Sequence, residues 1–436
     1  MLKISIATMT RLNRVSILLP DGRLSFMLGM ILIVATLPDS PNSSDLLLQC
    51  GTLILPNRLE RDWCVFVRAG VIQEVCAHFD APAGTQVIDA REHLVLPGFV
   101  DTHVHGAMDA DTMDATSEAL HTMARFFARH GVTGFLPTTM TATSTQIDKA
   151  IDAVQQVHTA QKNKPWSDAA SILGVHIEGP YVNPKQRGAQ PAQFMRLADP
   201  TEYCRWFDTG VVRLITLAPE MGDTNHQLIR DSLEHGVAVA IGHTDASYEQ
   251  ARQAFALGAN QATHTFNAMR QLQQRAPGVV GAVLNNPAVF AQLICDNVHV
   301  HPATMQILYK CKGAGHVALI TDAMEATGMG DGDFKLGAGA AADDVFVRGG
   351  KAQLSDGTLA GSLATMDLCL RNIIAATGCS LVEAAQMAAH TPAASIGLGA
   401  RKGCIEAGYD ADFAILTPQL EVQRTIVAGQ TVFQTG

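Results

Sequence analysis

The feature that most narrows the fold is a series of short, mostly apolar segments, each followed by a stretch of helical periodicity. The series begins at Phe99-Val100. It continues at Val132–Leu136, Ala170–Ile177, Val211–Leu217, Val237–Ile241, Gln261–His264, Phe290–Ile294 and Val317–Thr321. Strands apolar on both faces belong to parallel sheets covered on both sides. Between the first two, Leu120, Met123, Ala124 and Phe127 keep the i, i+3, i+4, i+7 spacing of a helix that Thr116 or Ser117 can cap and Gly131 ends. Ile147, Ala150, Ile151, Val154 and Val157 mark a second helix, and others are expected near Thr224–His235, Tyr248–Leu257 and Pro302–Lys310. Eight such units in series predict an α/β fold, a closed (β/α)8 TIM-like barrel. An open doubly wound sheet is the alternative, but no glycine-rich dinucleotide fingerprint follows the first strand.

At 436 residues, the chain exceeds the roughly 250 that a barrel needs. The surplus lies at both ends. Leu46–Leu55, Trp63–Arg68, Val71–Val75 and His93–Leu96 read as short strands separated by glycine-containing turns, and Ala411–Leu416 and Thr425–Val427 return to the same character. The expected organisation is a small β-sandwich domain built from 45–96 and 401–436 around a catalytic barrel at 97–400. Residues 1–44 form an extension, expected to be poorly ordered or to contain a misassigned start, with translation beginning at Met27 or Met30. Its Phe26–Ala35 run resembles a signal-peptide core, but the leader is long, contains Asp21 and has no small-X-small cleavage site. The run also falls short of the ~18 residues a membrane span needs.

Composition excludes other classes. The net charge is −10 with no Lys/Arg-rich block, which argues against nucleic acid. The nine cysteines are odd in number and contain no Cys-X-X-Cys pair, the pattern of reduced thiols in a cytoplasmic protein.

The polar residues at the strand ends carry the chemistry. His103 and His105 lie two apart, so on a strand they project from one face. Glu178, His243, His264 and Asp322 follow the third, fifth, sixth and eighth strands. Each alone is an ordinary loop or capping residue. In a barrel, however, all strand C-termini share one mouth, so the six converge. Imidazole and carboxylate suit zinc first, and also iron, manganese or cobalt. An ion with an open position lowers the pKa of water from roughly 15.7 to about 7 and polarises a carbonyl. A carboxylate beside that water, for which Asp322 is the natural candidate, can carry its proton to a leaving nitrogen. The reaction class implied is metal-assisted hydrolysis of an amide-like bond.

From Leu46 to the C-terminus the chain resembles the amidohydrolase superfamily, and within it the N-acetylglucosamine-6-phosphate deacetylases. The resemblance is carried by Pro97–His105, His176-Ile-Glu-Gly-Pro180, Leu217-Ala-Pro-Glu220, Gly242-His243, Thr263–Met269, Pro277-Gly278, Asp296-Asn-Val-His299, Thr321-Asp322-Ala323 and Gly357–Ser362. It implies Glu178, His243 and His264 as the principal metal ligands, His103 and His105 as a second-metal pair, and thus one or two divalent ions. It further implies Asp322 as the catalytic acid/base and Arg275 and His299 as phosphate contacts, with His299 reaching across a homodimer. Asn267 and Ala268 would hold the sugar phosphate, with loops at Asp296, Asn297 and Val298, at Leu359, Ala360 and Gly361, and at Ala189. Some members carry a histidine that holds the acetyl carbonyl where this chain has Gln190. The implied substrate is a phosphorylated N-acetyl amino sugar of gluco or galacto configuration. A cyclic-amide hydrolase is a weaker alternative, because those barrels commonly use a carboxylated lysine where Glu178 stands. A metal-free scaffold would have lost ligands that this chain retains.

Overall fold

The computed structural model describes residues 45–337 and 342–436, together with two short antiparallel strands, Ile17–Leu18 and Leu24–Ser25. The rest of the expected extension at 1–44, including its signal-like run, lies outside the described residues. The chain divides into two compact units, Met1–Ser40 and Pro41–Gly436, and the second holds every other described element.

Four strands open this larger unit: β1 (Leu46–Leu55), β2 (Arg58–Arg68), β3 (Val71–Cys76) and β4 (Gln86–Pro97). Three C-terminal strands, Phe413–Leu416, Val422–Val427 and Gln430–Gln434, join them in one seven-stranded sheet in which Phe413–Leu416 pairs β4. The sheet curls on itself. Ile72 N donates to Tyr409 O and Ala411 N to Gly70 O, both at 2.9 Å, tying the β3 edge to the segment leading into Phe413. The two layers of the small β unit are therefore one continuous sheet around Leu48, Leu53, Val65, Val67, Phe413 and Ile426.

β4 runs through Gly98 directly into the barrel. A Cβ at Gly98 would sit 2.2 Å from Thr133 Cγ2, so only glycine fits this junction. The barrel strands are β5 (Phe99–Val104), β6 (Val132–Thr139), β7 (Val175–Glu178), β8 (Val212–Leu217), β9 (Ala238–Ile241), β10 (Gln261–Ala262), β11 (Phe290–Ile294) and β12 (Val317–Ile320). Each pairs in parallel with the next. The ring closes where Asp322 N donates to His103 O at 2.9 Å and Val104 bridges Ala323. Asp101, fully buried, clamps this seam by accepting from Thr321 Oγ1 at 2.6 Å and from the His103 N–H at 3.2 Å.

Helices α1 (Ser117–Arg129), α2 (Ser144–Asn163), α3 (Pro200–Asp208), α4 (Asp223–Glu234), α5 (Tyr248–Leu257), α6 (Gly278–Leu284) and α7 (Pro302–Lys312) supply the crossovers, and α8 (Met366–Thr377) comes after β12. Thr116 caps α1, its hydroxyl accepting from Ala119 N at 3.2 Å. The barrel base is dry: Val100, Leu136, Leu214 and Ala240 pack against Ala393 and Ile396, which plug it from below. Towards the mouth the interior turns polar, with His103, His176, Thr138, Thr216 and Gln292 all buried. A three-stranded antiparallel insertion after β12, made of Gly332–Leu336, Asp343–Arg348 and Lys351–Gln353, brings Leu336, Thr358 and Leu359 to that mouth. Among the described residues no helix is long and apolar enough to cross a membrane.

Candidate metal centre and substrate pocket

The six polar residues at the strand ends meet. His103 lies in β5, His105 one residue past it, and Glu178 ends β7. His243, His264 and Asp322 each stand two residues beyond their strands, β9, β10 and β12. All three adopt positive φ, at 46°, 28° and 52°. That conformation costs a non-glycine residue roughly 1–3 kcal/mol and persists only where its surroundings impose it. Here it turns three side chains in succession over the barrel axis.

Two clusters result, Glu178–His243–His264 and His103–His105–Asp322. Glu178 Oε1 lies 3.1 Å from both His243 Nε2 and His264 Nε2, which are themselves 3.1 Å apart. In the other cluster, Asp322 Oδ1 lies 3.4 Å from His103 Nε2 and 3.3 Å from His105 Nε2, and those nitrogens are 3.3 Å apart. Donors bonded to one tetrahedral ion at ~2.0–2.1 Å are separated by about 3.4 Å, so these spacings fit a shared cation.

The outer ring nitrogens strengthen that fit. His103 Nδ1 faces Gln292 Oε1 at 3.2 Å, His105 Nδ1 faces Thr138 O at 3.2 Å, and His243 Nδ1 faces Gln186 O at 3.0 Å. Oxygen acceptors at Nδ1 require the proton there, which leaves the Nε2 lone pair free for a metal. His264 Nδ1 alone is buried without a partner. His176, just beneath, is held by Thr216 Oγ1 at 2.8 Å and is not part of either cluster.

The charges are strongly coupled. Burial pushes the Glu178 carboxyl up, but the surrounding histidines, His103 and His243 foremost, outweigh it and hold the group well below the usual carboxylate range. Asp322 is likewise raised by burial and lowered further by His103 and His105, to about 2. Burial lowers His105, yet its bonds to Asp322 and Glu178 win and raise it well above the ordinary imidazole value. Burial lifts Asp101, against the bond from Thr321, to about 7.

The clusters form the floor of a cavity of 440 Å³ that Ala189, Gln190, Asn267, Ala268, His299, Leu359 and Gly361 also line. Ala360 is buried beside them, where its N–H donates to Ala352 O at 3.1 Å. Asp296 stands behind His299, accepting from its Nδ1 at 2.7 Å and from the N–H groups of Val298 and His299 at 2.9 and 2.8 Å. Asn297, at φ 64°, forms the tip of that turn. Arg275 is exposed and is not among the residues lining the cavity of the single chain. Lys185, Gln186 and Arg187 do line it, although nothing in the sequence motifs marks them. The available signal was their place in the loop after β7, because loops following barrel strands build the mouth.

Fold and donor set together define a β/α-barrel hydrolase with a site fit for a divalent metal. The chain belongs to the amidohydrolase family, whose sequence profile matches residues 94–432, and within it to the N-acetylglucosamine-6-phosphate deacetylases. It is 40% identical over 374 residues, 85% of this chain and 93% of the relative, to an N-acetylglucosamine-6-phosphate deacetylase of Lysinibacillus sphaericus. It is 35% identical over 351 residues, 80% of this chain and 90% of the relative, to an N-acetylgalactosamine-6-phosphate deacetylase of Escherichia coli O157:H7. A solved N-acetyl-D-glucosamine-6-phosphate deacetylase variant from Mycobacterium smegmatis, in complex with N-acetyl-D-glucosamine-6-phosphate, superposes with a TM-score of 0.81 at 32% identity, covering 90% of this chain and all of that one.

Proposed function

We propose that this chain hydrolyses the N-acetyl group of N-acetylglucosamine 6-phosphate, giving glucosamine 6-phosphate and acetate, as a step of amino-sugar catabolism in the cytoplasm. Membership of the deacetylase family supports the substrate. The observation that carries the chemistry is the set of imidazoles whose Nδ1 protons are engaged by oxygen, leaving Nε2 lone pairs turned towards two buried carboxylates.

Glu178, His243 and His264 are the residues to hold the principal ion, and His103 and His105 those to hold a second. Zinc is the first choice and iron, manganese or cobalt are alternatives. When bound, such an ion supplies the Lewis acidity that makes water a nucleophile at neutral pH and polarises the acetyl carbonyl. Asp322, held ionised by its histidine neighbours, takes the proton from the attacking water and returns it to the departing amine nitrogen. Ala268, at φ 49°, turns the chain so that its backbone and the Asn267 amide meet the sugar phosphate. Leu359 and Gly361 line the same cavity, with Ala360 buried between them.

His299 and Arg275 read the phosphate. With Nδ1 taken by Asp296, His299 keeps Nε2 for a ligand. Burial lowers this imidazole, but the Asp296 carboxylate outweighs it and raises the group, favouring the cation that an anion needs. Arg275 can fork onto two phosphate oxygens. His299 lines its own chain's cavity rather than reaching across an interface as the resemblance implied, whereas Arg275 is exposed outside that cavity. A homodimer still belongs to the same proposal, with Arg275 the residue to reach the partner's pocket, and sedimentation of the chain checks it. The domain limits proposed are 45–96 with 401–436 for the β unit and 97–400 for the barrel.

The Escherichia coli relative favours a second reading, in which the galacto epimer is the better substrate. Acetate release from both epimeric 6-phosphates and from unphosphorylated N-acetylglucosamine decides between them. The proposal predicts the highest kcat/KM for the gluco 6-phosphate and a large loss without phosphate. A preference for the galacto epimer transfers the activity to that sugar, and indifference to phosphate removes the roles of His299 and Arg275.

A further inference from the structure

Gln190 is only 3% exposed and lies between two groups of opposite hydrogen-bonding character. Its Oε1 accepts from the Thr141 N–H at 2.8 Å, and its Nε2 donates to Glu178 Oε2 at 2.7 Å. A backbone N–H only donates and an ionised carboxylate only accepts, so the amide has one orientation that satisfies both. Thr141 is itself fixed: a Cβ added to Gly179 would lie 2.1 Å from Thr141 Oγ1, which shows how tightly that segment packs beside Glu178.

The oxygen that Gln190 holds is the one facing His105 of the second cluster. Glu178 Oε2 lies 3.2 Å from His105 Nε2, whereas Oε1 faces His243 and His264 at 3.1 Å and His103 Nε2 at 3.4 Å. Left alone, a carboxylate among four imidazoles rotates about its last bond to suit whichever cation is bound. The Gln190 bond sets that rotation. We propose that Gln190 is a positioning residue whose side-chain amide, anchored on Thr141, aims Glu178 Oε2 at His105, so that one carboxylate serves both ligand clusters at once. This differs from the carbonyl-orienting role expected for this position, because the amide oxygen and one amide proton are already committed to the protein. The inference rests on the metal-centre reading of the site and is independent of the substrate.

The test is titration of the metal-free full-length chain with Zn²⁺ against a chromophoric chelator, comparing wild type with Gln190→Leu, Gln190→Asn and His105→Ala. Wild type is expected to take up two ions in distinguishable steps. Both Gln190 variants weaken one step by roughly 10–100-fold, as loss of an outer hydrogen bond to a metal ligand does, and leave the other within about twofold. The step they weaken is the one that His105→Ala weakens. Gln190→Asn keeps the amide but shortens its reach, and it serves if Gln190→Leu fails to fold. Unchanged titration with a fall in kcat/KM for the acetylated sugar would return Gln190 to the substrate and overturn the inference. Equal weakening of both steps, or uptake of a single ion by wild type, would also overturn it. The metal titrations need no acetate release, and unchanged steps in the Gln190 variants overturn the inference whatever the activity, so failure here is distinguishable from failure of the proposed deacetylation.

Discussion

Glu178→Gln is the substitution that the site tolerates least for its size. The swap preserves shape and removes one charge. Glu178 Oε1 faces two imidazole nitrogens at 3.1 Å and Oε2 accepts from Gln190 Nε2 at 2.7 Å. An amide must place its NH₂ at one of these two ends. One choice sets donor against donor at Gln190, and the other sets a donor against His243 and His264, where an ion needs a lone pair. Loss of this ligand is expected to weaken metal binding by about 100-fold or more, since outer-shell partners alone are worth roughly 10–100-fold. An ion present at about 1,000 times its dissociation constant protects the fold by about 4.1 kcal/mol. With binding weakened roughly 100-fold, the same ion concentration protects by about 1.4 kcal/mol. The unfolding entropy of roughly 400 residues is about 0.8 kcal/mol per degree, so the metal-induced rise in Tm drops from about 5 °C to about 2 °C. Differential scanning fluorimetry with and without Zn²⁺ reads this within each variant, which cancels any change in the metal-free fold. A variant with the full wild-type rise would refute the assignment of Glu178 as a ligand.

Asp322→Asn is expected to lower kcat by roughly 10²–10⁴-fold, the usual weight of a general acid/base, with KM nearly unchanged; asparagine also accepts the positive φ of this position. Because Glu178 and Asp322 hold His105 protonated above its ordinary value, a proton competes with the metal there. Metal affinity therefore falls as pH drops below that raised value, and calorimetry in buffers of different ionisation enthalpy detects proton release on binding at neutral pH. Asp367, at the start of α8, accepts from His130 at 2.9 Å and Arg371 at 3.0 Å. Burial raises its carboxyl, but His130 and Arg371 outweigh that and bring it to about 2, below the ordinary 3.8. The stabilisation is present above about pH 4, amounts to roughly 2 kcal/mol, and is lost as pH falls through about 2. Asp367→Asn lowers Tm at neutral pH, and the gap to wild type closes in acid.

The barrel was legible because its strands are buried on both faces. All residues of β5 and β6 are inside, so their apolar runs stand out without any partner. The convergence of the six strand-end side chains followed from fold geometry alone, since one rim collects every strand's C-terminus. Shorter elements were less visible. The strand expected over Ala170–Ile177 breaks into Ser171–Ile172 and Val175–Glu178, because Gly174 adopts a φ of 148° between them. α6 escaped notice because Gly278-Val-Val-Gly-Ala-Val-Leu284 has poor intrinsic helix propensity. Burial of its first six residues overrides that preference. The Asp101–Thr321 seam and the Thr141–Gln190–Glu178 chain depend on contacts 220, 49 and 12 positions apart, which no local pattern encodes.

Metal content and acetate release measured on one sample of the full chain test the central claim most directly. The metal-free chain is expected to release no acetate from N-acetylglucosamine 6-phosphate, with turnover returning in proportion to the ions restored. Undiminished acetate release from a chain stripped of metal, or none from a fully loaded one, would contradict the account.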